Sequence, residues 1–323
     1  MKSRKIVLIS VLICMIFSLC SCSFSNGNKQ FKTSFIVKTE KSDFFNHMKN
    51  GAFAASSEFN TELSFAGCEN EDDYEEQKRL IDEAVENGSD VIVLSAIDSD
   101  KLKDSVKNAA DKKVKIICVD SGVDSPYVSL LIGTDDALAG EDAAKTAVGA
   151  FPKDKKIKIG ILKTDNVSNN IRLRENGFKE YIAKCENAVV AAEKSTENNE
   201  KSAYEAAERL LFENPDINVI VGFNEWTSIG VGMATADLGL EKKVKAIGFD
   251  TNLKCVELLE GEKMYALIVQ NPYAMGYLGV KNAYLLAEGK NGDVPENIYT
   301  DTVCVTKENL FDEDISKIVF SMK

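Results

Sequence analysis

Two aspartates stand at matching places in this chain. Lys112-Lys113-Val114-Lys115-Ile116-Ile117-Cys118-Val119-Asp120 is paralleled 130 residues later by Lys242-Lys243-Val244-Lys245-Ala246-Ile247-Gly248-Phe249-Asp250. Each segment is a basic start, a β-type run and a carboxylate at its end. A second pair lies nearly in register with the first: residues 91–96 recur at 219–224, where the run closes on Asn224. A carboxylate so placed can accept paired hydrogen bonds from a polyol, cap a following helix, or serve in the acid/base couple of a glycosidase. Both aspartates are expected to stay ionised and to accept hydrogen bonds, which favours binding over turnover.

Other chemistries lack their parts. His47 is the single histidine and is read as a helix-surface residue, so imidazole-based catalysis and His-rich metal sites have little to build on. The eight cysteines include no C-x-x-C pair among those past residue 22, and no P-loop, G-x-G-x-x-G or G-x-S-x-G motif occurs. The run Glu69-Asn70-Glu71-Asp72-Asp73 lacks EF-hand spacing and reads as a solvated helix start. A net charge of −12 argues against a phosphate-backbone partner. No enzyme activity, cofactor, metal or nucleic acid is therefore expected.

The elements that must position the aspartates follow from alternating periodicities. Short apolar or β-branched runs at 34–37, 62–65, 91–95, 114–119, 128–132, 157–162, 188–192, 219–223, 244–248, 266–270 and 302–305 predict strands. Helical spacing predicts helices at 44–59, 74–86, 102–110, 138–150, 172–184, 203–213, 229–238, 255–259 and 275–288. The fold class is α/β with parallel sheets, and the internal repeat favours two similar Rossmann-like lobes over one sheet of about eleven strands. Ligands of open α/β sheets bind beyond the carboxyl ends of the strands, so a cleft between lobes would collect both sets of strand-end polar residues.

The N-terminus predicts export. Lys2, Arg4 and Lys5 precede an apolar stretch over 6–19 that is short for a bilayer span. Leu19-Cys20-Ser21-Cys22 resembles a bacterial lipobox in which Cys22 is fatty-acylated, and the polar run to residue 30 reads as a tether. The alternative is a plain signal peptide. Residues 1–21 are expected as lipoprotein signal and 22–30 as tether, placing the protein on the outer face of the cell membrane.

The segments Phe44-Phe45 to Ala52, Val119-Asp120, Arg172-Leu173-Arg174-Glu175-Asn176-Gly177-Phe178, Phe223-Asn224-Glu225, Gly248-Phe249-Asp250 and Val269-Gln270-Asn271-Pro272 occur in the order and spacing of type I periplasmic sugar-binding proteins. The chain resembles the ribose-binding branch of that family. The resemblance implies two lobes joined by a three-segment hinge, with lobe one at 31–134 plus 271–299 and lobe two at 135–270 plus 300–323. It implies aromatic stacking on a sugar by Phe44 or Phe45, hydroxyl recognition by Asp120 and Asp250, donation from Arg172, and amide contacts from Asn224 and Gln270. Gln270 would sit at the hinge. Ser121 and Ser42 stand where ribose binders carry arginine and asparagine, and the second stacking aromatic is missing near Asn198. Trp226, the single tryptophan, is either its replacement or a packing residue of the next helix. The implied partners are a monosaccharide or related polyol and an ABC permease, with a membrane sensor kinase or chemoreceptor as the alternative receiver; a secreted sugar-processing enzyme is the third reading.

Overall fold

The computed structural model describes residues 30–164 and 168–320. The signal sequence, Cys22 and nearly all of the tether lie outside the described residues. Two six-stranded sheets, each wrapped in helices, make up the molecule.

The first sheet contains β1 (Lys32–Val37), β2 (Glu62–Gly67), β3 (Val91–Leu94), β4 (Lys115–Val119), β5 (Val128–Gly133) and β11 (Asn297–Tyr299), in the order β11-β5-β4-β3-β1-β2. The second contains β6 (Ile157–Thr164), β7 (Ala188–Thr196), β8 (Val219–Gly222), β9 (Lys245–Phe249), β10 (Ala266–Val269) and β12 (Val303–Val305), in the order β12-β10-β9-β8-β6-β7. The two orders are the same pattern used twice, which is what the internal repeat predicts. They differ in the sixth strand: β11 pairs parallel with β5, whereas β12 pairs antiparallel with β10.

The strands read as unbroken apolar runs because helices cover both faces. In the first sheet Phe35, Val37, Val93, Ile117 and Val119 pack to one side with Met48 and Met275, while Ile36, Ile92, Leu94, Ile116 and Cys118 pack to the other. This is the two-residue alternation of a strand buried twice. The second sheet divides in the same way, with Ile159, Ile161, Val221 and Phe249 on one face and Leu162, Ile220, Ala246 and Leu267 on the other.

The helices are α1 (Asp43–Phe59), α2 (Tyr74–Glu86), α3 (Lys103–Asp111), α4 (Asp136–Gly149), α5 (Asn169–Ile182), α6 (Glu200–Glu213), α7 (Glu225–Asp237), α8 (Leu253–Glu260), α9 (Pro272–Ala287) and α10 (Glu313–Val319). Nine of the ten overlap the sequence expectation; α10 and the three-residue strand β11 were not expected. Asp73, Asp135, Asn199, Asn224, Asn252 and Asn271 cap helices by accepting from the backbone three residues on. His47 is buried on α1, not on its surface, and burial holds its pKa below the usual value.

The chain passes from one sheet to the other three times: between β5 and α4, between β10 and α9, and between β11 and β12. Thr134 on the first crossing donates to Gln270 on the second, 2.8 Å away. Helices α1 and α9 meet so closely that a Cβ on Gly276 would lie 1.9 Å from the Met48 carbonyl oxygen. Gly276→Ala is expected to lower the unfolding free energy by about 1–3 kcal/mol or more through forced separation of the helices. Gly149→Ala, where nothing lies within 4 Å, is expected to be neutral or slightly stabilising. Urea titrations of the two variants check this.

Candidate functional site

Asp120 and Asp250 occupy equivalent places at the ends of β4 and β9. Both take a left-handed backbone, φ 60° and 69°. Each donates its N–H to the neighbouring strand, Asp120 to Ile132 at 2.8 Å and Asp250 to Ile268 at 3.1 Å. This turn aims the two carboxylates out of their sheets and into one cavity. Neither caps a helix; Asn252 caps α8 instead, accepting from the Cys255 N–H at 2.9 Å. The capping alternative is thereby set aside.

The cavity lies at the carboxyl ends of both sets of strands. The first sheet and its connections supply Lys38, Ser42, Phe44, Phe45, Glu71 and Asp120 to its wall; the second supplies Asn170, Ile171, Arg174, Asn224, Glu225, Trp226, Asp250 and Gln270. The free space among these residues is small: only about 30 Å³ can take the centre of a water molecule. The lobes are drawn together, and their polar groups satisfy one another across the gap.

Asp120 accepts from Lys38 Nζ at 2.9 Å, from Ser95 Oγ at 2.9 Å and from Asn170 Nδ2 at 2.8 Å. Burial works against its charge, but the Lys38 and Arg174 cations outweigh it and hold the carboxyl below its ordinary value. Asp250 differs. Burial pushes its pKa up against the partial relief of Arg174 and of the Gln270 Nε2 donor at 2.6 Å. The same strand-end turn places both carboxylates, yet only Asp120 has a lysine in contact.

Arg172 lies outside the cavity. It is exposed on α5 and donates to Asn169 Oδ1 at 2.6 Å. Two residues are about 200° around a helix, so Arg174 takes the inward face instead. Its side chain is 2 % exposed and makes three hydrogen bonds: Nε to Asp136 Oδ1 at 2.8 Å, Nη1 to the Phe223 carbonyl at 3.0 Å and Nη2 to Gln270 Oε1 at 2.7 Å. Burial raises the Asp136 carboxyl to about 6 even against this ion pair. Arg174 on α5 thus joins Asp136 of α4 and the residue after β8 to Gln270, which follows β10.

Asn224 caps α7 with its amide oxygen, in a reciprocal box with Thr227, and its Nδ2 donates to Asn198 Oδ1 at 2.9 Å. Phe44 and Phe45 pack edge to face at 5.2 Å and belong to the lobe-one core while lining the cavity. Trp226 packs against the core of the second lobe and also lines the cavity. Its indole N–H donates across the cleft to Glu71 Oε1 at 3.2 Å.

Sequence reasoning missed Lys38, Glu71, Asn170, Arg174 and Glu225. Arg174 carried a signal, since Ile171, Arg174, Phe178 and Ile182 form the buried stripe of α5 at helical spacing. Glu71 belongs to the acidic run taken as a solvated helix start; Asp73 of that run does cap α2, but Glu71 turns to the cavity wall. Ser42, at the head of α1, caps nothing and gives its hydroxyl to Glu225 across the cleft.

Burial raises the Glu225 carboxyl to about 8, against the Ser42 hydrogen bond and with the help of repulsion from Asp250, Glu71 and Asp43. Among the described residues no group of three or more His, Cys, Asp or Glu side chains is arranged to hold a metal, and no helix is long and apolar enough to cross a membrane. Cys68, Cys118, Cys185, Cys255 and Cys304 are free thiols.

Two lobes of like topology, joined by three crossings and closing on a polar cavity with aromatic walls, define a solute-binding protein of the type I periplasmic architecture. The chain belongs to the periplasmic binding protein family, whose domain matches residues 33–291. It is 25% identical over 296 residues to the D-ribose/D-allose-binding protein of Pseudomonas aeruginosa, covering 89% of this chain and 92% of that one. The ribose import binding protein of Bacillus subtilis is 22% identical over 290 residues, 87% of this chain and 92% of that one. Among solved structures, a carbohydrate transporter solute-binding protein of Agrobacterium radiobacter in complex with D-arabinose superposes with a TM-score of 0.85 at 29% identity, covering 90% of this chain and 99% of that one.

Glu225 gives the closed form a pH dependence of definite sign. Its pKa is about 8 here and near 4.5 when water reaches it, so the closed form holds the proton more tightly. The resulting stabilisation is complete below about 4.5 and is lost as pH rises through about 8. Glu71 and Asp250, both raised by burial, act in the same direction. Fluorescence of Trp226 in the ligand-free protein is expected to report opening between neutral and mildly alkaline pH, and Glu225→Gln is expected to flatten that response.

Proposed function

We propose that this protein is an extracytoplasmic solute-binding lipoprotein that captures a small sugar or related polyol between its lobes and delivers it to an ABC permease. The observation that carries the reading is the convergence of Asp120 and Asp250, from equivalent strand ends of the two sheets, on one cavity that also presents Phe44, Phe45 and Trp226. A sugar ring shows C–H groups on its faces and hydroxyls at its edge, so aromatic planes and carboxylate acceptors suit it. The relatives' names, ribose, allose and arabinose among them, support the same class of solute.

Lobe one, at 31–134 plus 271–299, and lobe two, at 135–270 plus 300–323, move as bodies about the Thr134–Gln270 hinge contact. Closing is a population shift, and the solute favours it because it touches both lobes at once. Asp120 and the two phenylalanines bind from the first lobe; Asn170, Asn224, Trp226 and Asp250 bind from the second. Gln270 responds at the hinge. Arg174 orients Gln270 and offers its charge to the cavity. The protein's product is a closed, loaded shape for the permease to read, so no bond in the solute is broken.

Isothermal titration of the purified full chain in mild detergent against pentoses, hexoses and polyols is expected to show one saturable site. Hydrogen bonds to charged groups are worth about 1.5–3 kcal/mol, so Asp250→Ala should weaken binding about tenfold to a hundredfold. Arg172→Ala should change it less than about twofold, given its exposed position outside the cavity. Absence of binding to every carbohydrate, or turnover of the bound sugar, contradicts the proposal.

Cys22 is the acylated residue in this reading, with residues 1–21 removed as its signal. Cys22→Ser is expected to move the protein from the membrane fraction to the soluble one; unchanged membrane retention contradicts the lipid anchor.

A further inference from the structure

The charges around the cavity do not balance. Lys38 is paired with Asp120 and Arg174 with Asp136. Among the described residues no lysine or arginine forms an ion pair with Glu71, Glu225 or Asp250, although all three line the same cavity. Glu225 and Asp250, both buried, and Glu71, partly buried, thus line the cavity without a contacting cation. A buried carboxylate without a partner is costly, and the cost is met by a proton or by a cation.

Two of these carboxylates reach the cavity from opposite lobes. Glu71 comes from the loop between β2 and α2, and Glu225 from the first turn of α7, so the two approach from opposite lobes. Trp226 stands with them, its indole N–H on Glu71, and Ser42 and the Asp43 backbone N–H at 3.4 Å hold Glu225. Ser42 and the Trp226 indole can be displaced by a stronger donor. An ammonium has three N–H donors and a full charge, and an aromatic ring beside it adds attraction through its face.

Resting on the sugar reading above, we infer that the preferred solute carries a positively charged amine, an amino sugar or amino polyol, which seats between Glu225 and Glu71 while its hydroxyls meet Asp120 and Asp250. The amine neutralises the enclosed carboxylates on both lobes and so adds to the drive for closure. A neutral sugar leaves Glu225 to be protonated instead, consistent with the upward push on its pKa.

The test is titration calorimetry of the full chain near neutral pH with D-glucosamine and D-galactosamine, their parents D-glucose and D-galactose, and their N-acetyl derivatives. At least one amine is expected to bind tenfold or more tightly than both its parent and its N-acetyl form. Glu225→Gln and, separately, Glu71→Gln are expected to reduce that ratio at least tenfold, and melting curves of both variants confirm that they fold. A parent or N-acetyl sugar that binds as tightly as the amine overturns the inference and leaves the sugar reading standing. A preference that survives both substitutions also overturns it. If none of these six binds, this inference falls, and the wider panel of pentoses, hexoses and polyols decides the sugar reading separately.

Discussion

Four carboxylates, Glu71, Asp120, Glu225 and Asp250, converge on a space that barely admits water. That arrangement is expensive in free energy, and the rest of the structure is organised around meeting its cost. Lys38 compensates Asp120 by direct contact, and Arg174 adds its charge to the same pocket while paired with Asp136. What these two cations leave uncompensated must be met by hydrogen bonds, by protons or by the solute. A site with unmet charge when closed and empty is one whose closure is improved by the right occupant, which is the coupling a solute-binding protein needs.

Rigid elements hold these groups in place. The same left-handed turn after β4 and after β9 presents Asp120 and Asp250, and in each case the backbone N–H of the turn is fixed by the next strand. Arg174 cannot rotate away without giving up its bonds to Asp136, the Phe223 carbonyl and Gln270, so it couples the position of α5 to the second crossing. The first lobe is locked by the glycine-mediated approach of α1 and α9, which places Ser42, Phe44 and Phe45 at the cavity edge. Across the cavity, by contrast, the lobes are linked by side-chain hydrogen bonds such as those from Ser42, Trp226 and Asn170, each replaceable by a hydroxyl or an amine of a solute.

Much of this was legible in the sequence. Strands buried on both faces must be apolar throughout, so the two runs ending in Asp120 and Asp250 stood out and disclosed the repeated lobe. The short strand β11, Asn297-Ile298-Tyr299, lacks that signature because it is an edge strand with exposed ends. Arg172 was favoured over Arg174 because the order of a motif does not say which face of a helix a residue takes; the stripe of Ile171, Arg174 and Phe178 does. Glu71 was not legible, since a loop carboxylate within a run of five acidic or amide residues looks the same whether it faces solvent or a cleft. The imbalance of charge appears only when residues more than a hundred positions apart are brought to one wall.

A crystal structure of the full chain with saturating solute, chosen by the calorimetric screen, tests the central claim most directly. The account predicts an intact solute in the cleft, hydrogen-bonded to Asp120 and Asp250 together and packed on Phe44, Phe45 or Trp226. A solute bound elsewhere on the surface, or held by one lobe with Asp120 or Asp250 uninvolved, would contradict it.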